Sequence, residues 1–169
     1  MPGSFLPGIF ASLGISANYS YTASAAHQIP GRSDSPPLLR QAPNTWNISP
    51  TFDRGRFAVR VGMSYNGANI YAYQYQNLNP DGTPISPANL TAGGPAGPGG
   101  DNYFYPHYQL DAQGSIRLAK GFQIFAYGLN LTNEVFGFYN GSPQYVVQRE
   151  YYEPTVAVGV RWTPPIERK

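Results

Sequence analysis

The chain has 169 residues, with 11 Lys and Arg against 9 Asp and Glu and no cysteine. A net charge of +2 on scattered basic residues leaves no footprint for nucleic acid, so no nucleic-acid partner is expected. Zero cysteine excludes disulfides and thiolate metal sites. Only 12% of residues are charged, against roughly a quarter in a soluble domain, yet the mean hydropathy is −0.35. The polarity is uncharged: Asn, Gln, Ser, Thr, Gly and 14 Tyr. No run approaches the roughly 18 apolar residues of a membrane helix, and no Lys or Arg precedes Arg32. Neither a transmembrane helix nor a signal peptide is expected. The length suits one domain over 1–169.

Residues 9–24 alternate Ile9, Ala11, Leu13, Ile15, Ala17, Tyr19 and Tyr21 with Ser12, Gly14, Ser16, Asn18, Ser20 and Thr22. Period-2 alternation this long reads as a tilted membrane strand. The next strand, about 44–53, places Trp46, Ile48, Pro50 and Phe52 on one face. The third, from 56 onward, matches them with Phe57, Val59, Val61, Met63 and Tyr65. Between them Arg54-Gly55 reads as a two-residue type I′ turn, because Gly takes the positive φ of the second position. That centre sets Phe52 against Phe57 and Trp46 against Met63, with every apolar residue on one face.

The fourth strand, about 107–118, carries Tyr108, Leu110, Ala112, Gly114, Ile116 and Leu118 on one face. A turn centred on Lys120-Gly121 pairs Ile116 with Phe125 and Ala112 with Leu129 in the fifth strand. The last strand, about 151–162, contributes Tyr152, Val156, Val158, Val160 and Trp162. Three connections are long, 25–43, 75–106 and 134–150, and the first two, rich in Pro or Gly, are read as irregular loops. Short turns at one end and long loops at the other suit an outer-membrane sheet. The fold class expected is all-β: six long antiparallel meander strands forming an open or partial transmembrane β-barrel. Its lipid-facing set is Leu13, Ile15, Ile48, Val59, Val61, Leu110, Ile116, Phe125, Leu129, Val156, Val158 and Val160. Tyr19, Tyr21, Trp46, Tyr65, Tyr108 and Tyr152 fall toward the loop end, and Phe52, Phe57, Phe122 and Trp162 toward the turn end. Two aromatic belts are what bilayer interfaces favour.

Several segments together resemble the C-terminal barrel strands of bacterial TonB-dependent outer-membrane receptors. They are Asn18-Tyr19-Ser20-Tyr21-Thr22, Pro43-Asn44, Asp53-Arg54-Gly55-Arg56-Phe57, Gln109-Leu110-Asp111, Asn130-Leu131-Thr132-Asn133-Glu134 and Val158-Gly159-Val160-Arg161-Trp162. The resemblance covers nearly the whole chain. It implies a barrel of about 22 strands, with the plug domain and the TonB-contacting segment absent here. It further implies location in the outer membrane of a Gram-negative bacterium and uptake of scarce nutrients such as iron chelates, cobalamin or oligosaccharides. A lone six-stranded piece would not be transport-competent. The partners implied are outer-membrane lipid, the rest of the barrel and plug, the barrel-assembly machinery through the last strand, and TonB only through the missing segments. Family members usually end at the last aromatic, whereas Thr163–Lys169 follows Trp162 here. The alternatives are a small self-contained barrel or adhesin-like surface protein, and a soluble β-sandwich that binds carbohydrate.

No catalytic constellation is legible, so no enzymatic activity and no cofactor are expected. His27 and His107 lie far apart without ligand spacing, so no metal site is expected. The Gly93–Gly100 run lacks the Gly-Lys-Ser/Thr of a phosphate loop. Aromatic residues crowd the loop ends: Tyr71, Tyr73, Tyr75, Tyr103, Phe104, Tyr105, Phe136, Phe138, Tyr139 and Tyr145. Tyr and Phe give large contact area with few rotatable bonds, and Tyr adds a polar tip. The candidate ligand-binding set is therefore Tyr139 and Tyr145 with the polar Asn140, Gln144 and Arg149, set against an interfacial belt with ordinary loop packing.

Overall fold

The computed structural model describes residues 8–29, 31–74 and 96–164. The strands are β1 Leu13–Tyr21, β2 Asn44–Arg54, β3 Phe57–Asn66, β4 Asn69–Ala72, β5 Asn102–Phe104, β6 His107–Arg117, β7 Phe122–Leu129, β8 Val135–Asn140, β9 Val146–Tyr151 and β10 Thr155–Trp162. A six-stranded sheet has the order β1-β2-β3-β6-β7-β10, and a four-stranded sheet the order β4-β5-β8-β9. All pairings are antiparallel. Among the described residues, helical geometry is confined to 3-10 turns at Gly8–Ser12 and Ala119–Gly121.

The six expected strands form the first sheet, in meander order and open at β1 and β10. Four of them continue into the second sheet, so two expected loops contain strands. The 134–150 segment is a hairpin of β8 and β9, and the 75–106 segment ends in β5. Residues 75–95 of that loop, with Tyr75, lie outside the described residues. The sequence pattern missed the hairpin because Phe136, Phe138 and Tyr139 do not alternate cleanly. A register shift between Phe138 and Tyr139 breaks the period there.

Both turns differ from expectation, with opposite consequences. Arg54 pairs with Phe57, so the first turn centres on Gly55-Arg56. Gly55 takes φ 60 at the first central position, and Arg56 keeps an ordinary φ. That is the type II′ requirement; type I′ would have forced Arg54 to positive φ. The register moves by two residues, so the faces survive: Trp46 meets Tyr65 and Ile48 meets Met63. The second connection has three residues, Ala119–Gly121, with Lys120 at φ 59 and Gly121 at φ 80. Leu118 closes it by donating its N–H to the Phe122 carbonyl at 2.7 Å. An odd loop moves the register by one residue and exchanges the faces of β7. Ile116 therefore meets Ile124, and Phe125 meets Ser115. Phe125 and Leu129 leave the apolar face, correcting the expected lipid-facing set. Phe125 instead packs over Gly159, where a side chain would collide with its ring, beneath the Arg161 guanidinium at 5.8 Å.

The other ten expected residues share one face through the registers of β1, β2, β3, β6, β7 and β10. None of the described residues covers that face: Ile15 is 71% exposed and Val158 72%. Among the described residues the buried apolar side chains are Ile70 and Tyr139 in the second sheet and Pro36 in the 25–43 segment. The chain exposes 11863 Å², whereas a compact monomer of this size would expose roughly 8,200 Å².

Aromatic rings cross the apolar face in rows. Tyr19, Trp46, Tyr65 and Tyr108 are direct cross-strand partners at the loop end. Trp46 stacks on Tyr65 at 5.6 Å, Tyr65 meets Tyr108 at 4.6 Å, and the Tyr19 hydroxyl donates to Asn44. At the turn end Phe122 stacks on Trp162 at 6.1 Å. The opposite face carries Ser16, Asn47, Arg60, Ser64, Gln113 and Thr155, interrupted by Phe125, Tyr127 and Leu129 of β7, so the sheet is two-sided without a core.

Candidate functional site

The second sheet stands on the first. β3 runs into β4 across Gly67-Ala68, β5 into β6 across Tyr105-Pro106, β7 into β8 across Asn130–Glu134, and β9 into β10 across Tyr152–Pro154. Pro106 and Pro154 cannot donate to a ladder, which interrupts pairing at the junction. The sharpest break is Asn130-Leu131-Thr132-Asn133-Glu134, where Asn130 and Asn133 adopt φ 53 and 51. Asn is the side-chain-bearing residue that best tolerates this region. Asn130 donates its backbone N–H to Asp111 and its side-chain amide to the Tyr152 carbonyl, and accepts the Glu134 N–H. The Glu134 carboxylate accepts the Tyr108 N–H at 3.4 Å. This segment is a clasp joining β6, β7, β8 and the approach to β10.

The second sheet is faced with rings. Tyr71, Phe104, Phe136 and Phe138 pack on one side at 4.8–5.4 Å. Tyr103, Tyr105 and Tyr139 pack on the other. Arg40 lies over Tyr71 at 4.9 Å, and Arg149 over Tyr105 at 5.7 Å. Phe136 also reaches the His107 ring at 6.1 Å, linking this sheet to the top of the first.

The candidate residues separate into two groups. Tyr139 is buried and stacks on Tyr103 at 5.2 Å with an 11° interplanar angle. Burial raises both phenol pKa values above their ordinary level. Asn140 uses its side-chain amide to hold Gly100 and Asn102, at 2.7 and 3.1 Å. Arg149 joins this packed group through Tyr105, which also meets Tyr139 at 4.7 Å. Gln144 and Tyr145 lie at the hairpin tip. Gln144 accepts the Ser142 hydroxyl, and Tyr145 is 65% exposed. Of the five, Tyr145 and Gln144 present themselves outward, while Tyr139 and Asn140 are tied into the sheet.

A polar knot beneath the loops had no signal in the sequence. Arg32 meets Asp101 across 69 residues, Nη1 to Oδ1 at 2.5 Å, with both side chains fully buried. Its Nε and Nη2 grip Asp34 at 2.8 and 2.6 Å. Asp101 Oδ1 also accepts the Gln74 N–H at 2.6 Å, and the Tyr73 ring lies under Arg32 at 5.5 Å. The hydrogen bond from Arg32 lowers the Asp34 pKa, and the same bond raises that of Arg32. The 25–43 segment, expected to be irregular, forms no strand among the described residues, yet this knot pins it to the second sheet. Tyr73 donating to the Pro37 carbonyl and Arg40 donating to the Ile70 carbonyl add two further ties.

Where the sheets meet, a pocket of about 330 Å³ is lined by His107, Gln109, Asn130, Glu134, Phe136, Tyr152, Glu153 and Thr155. It offers two carboxylates, two amides and two aromatic rings, suited to hydrogen-bonding and stacking. His27 lies elsewhere, with its ring nitrogen 3.1 Å from the Ser35 hydroxyl. Comparison with protein-family models, with curated proteins and with solved structures finds no match to any of them.

Proposed function

We propose that the six-stranded sheet is a lipid-facing wall in a Gram-negative outer-membrane receptor of the TonB-dependent kind. The second sheet then rises beyond the membrane toward the ligand. The observation that carries this reading is the uncovered apolar face bounded by aromatic rows, on a sheet whose opposite face is polar except along β7. In water such a face is an aggregation hazard; in a bilayer it is the required surface. The dimensions agree. Tyr65 and Phe57 bracket β3, and their separation is about 26 Å along the strand. At a tilt of about 40° that is about 20 Å across the membrane, near the apolar band of about 25 Å in outer-membrane barrels.

The receptor part rests on the motif resemblance and on the sheet that presents Tyr145 and Gln144 outward. Its substrates would be iron chelates, cobalamin or oligosaccharides. When the chain is produced in a Gram-negative bacterium behind an added export signal, it is expected in the outer-membrane fraction and extractable only with detergent. Recovery as a soluble monomer would contradict the wall. Fluorescence titration of the membrane-inserted chain with the three ligand classes tests the receptor part. Failure of every class to shift the emission would leave a membrane wall with no receptor role.

A further inference from the structure

The turn end and the loop end carry opposite charge. Among the described residues, Arg54, Arg56, Arg60, Arg117, Lys120 and Arg161 lie near the two tight connections and the end of β10, against Asp53 alone. The remaining described residues hold Arg32, Arg40 and Arg149 against Asp34, Asp101, Asp111, Glu134, Glu150 and Glu153. The Asp53 carboxylate is paired: Arg117 lies 3.8 Å from it. Arg54, Arg56 and Lys120 are exposed, and their side chains make no hydrogen bond or ion pair among the described residues.

Their placement relative to the apolar face matters most. Arg54 is opposite Phe57 and two positions beyond Phe52, so it lies on the apolar side of the sheet just past its end. Arg56 is in the adjoining turn. Lys120 is in the other turn, and its carbonyl accepts the Trp162 indole N–H at 3.2 Å. That bond fixes a membrane-interface aromatic directly beside a cation. Aromatic rings with cations immediately outward are what a headgroup layer binds: the rings take the interface and the long side chains reach the phosphates.

We infer that Arg54, Arg56 and Lys120 form a collar that binds anionic phospholipid headgroups at the turn end, and so fixes which end of the sheet faces the phospholipid leaflet. This rests on the lipid-wall reading and goes beyond it in naming the headgroup chemistry and the orientation. A cation close to an anionic surface contributes about a fivefold factor in partition, so three supply on the order of 100-fold.

The test measures partition of the full chain into vesicles of phosphatidylcholine alone and of phosphatidylcholine with phosphatidylglycerol. The proteins are the wild type, the triple variant R54Q/R56Q/K120Q and the loop-end variant R40Q/R149Q. The wild type and the loop-end variant are expected to gain on the order of 100-fold from phosphatidylglycerol, and to lose that gain at about 1 M salt, where the Debye length is about 3 Å. The triple variant is expected to enter neutral vesicles normally and to gain less than about fivefold. A wild-type-sized gain in the triple variant overturns the collar, as does an equal loss in the loop-end variant. Normal entry into neutral vesicles without any phosphatidylglycerol gain overturns the collar and leaves the wall standing. No entry into either vesicle overturns both.

Discussion

Replacing Val158 by Arg separates a membrane wall from a water-exposed sheet. Val158 is 72% exposed, lies in the edge strand β10 and sits four positions before Trp162. Four positions are about 13 Å along a strand, or about 10 Å across the membrane at a tilt of about 40°. The apolar band is about 25 Å tall, so Val158 lies within a few ångströms of its middle. Arg there should cost about 2–4 kcal/mol, a factor of roughly 30 to 1,000 in the folding equilibrium. Val160→Arg, nearer the aromatic row, should cost less. Thr155→Arg, on the polar face, should cost no more than about 0.5 kcal/mol. In water all three would be ordinary surface changes of that small size. Urea titration of folding into vesicles, followed by tryptophan emission, measures the series. Three equal, small costs would refute the assignment of this face to lipid.

Other expectations follow from particular contacts. Tyr139→Ala removes a buried ring from its stack on Tyr103 and should cost about 3–5 kcal/mol, seen as faster hydrogen exchange in β5 and β8. Tyr145→Ala should leave that exchange unchanged and alter only ligand-induced fluorescence. Asn130→Ala loses the side-chain bonds of the clasp and the residue suited to positive φ; about 3 kcal/mol is expected, with exchange rising in β8 and β9 before the first sheet. Asp34 has its pKa lowered by Arg32, so its contribution is complete above the ordinary carboxylate range near about 4 and is lost as pH falls through the lowered value. Exchange or proteolysis of the 25–43 segment should rise under acid in the wild type. In Asp34→Asn it should be raised already at neutral pH and change less with acid.

The first sheet was legible because a period of two over long strands leaves little freedom. Ile15, Ile48, Met63, Leu110 and Val158 could share a face only in antiparallel order. The β2–β3 turn was misplaced by one residue without harm, because both choices keep an even loop. At Lys120 the loop length is odd, and no residue type there distinguishes a two-residue from a three-residue turn, so β7 was read with its faces exchanged. Gly159 held a clue, since a missing side chain in a strand makes room for a ring such as Phe125. The crowding of aromatics at the loop ends was visible, but its division into a buried stack at Tyr139 and an exposed tip at Tyr145 depends on a register shift that periodicity cannot show. The Arg32–Asp101 pair joins residues far apart in the chain, and no local pattern carries such a pairing.

The most direct test of the account is the depth of three indoles in a bilayer. Trp46 and Trp162 are the chain's two tryptophans, one in each aromatic row. Single-tryptophan variants retaining either one, and V158W in a background of W46F and W162F, are folded into vesicles of lipids brominated at different depths. The account predicts strongest quenching of Trp46 and Trp162 by lipid brominated near the headgroup. For V158W it predicts strongest quenching by lipid brominated toward the chain ends, with little effect of aqueous iodide. Full quenching of all three by iodide, with none by brominated lipid, would contradict it.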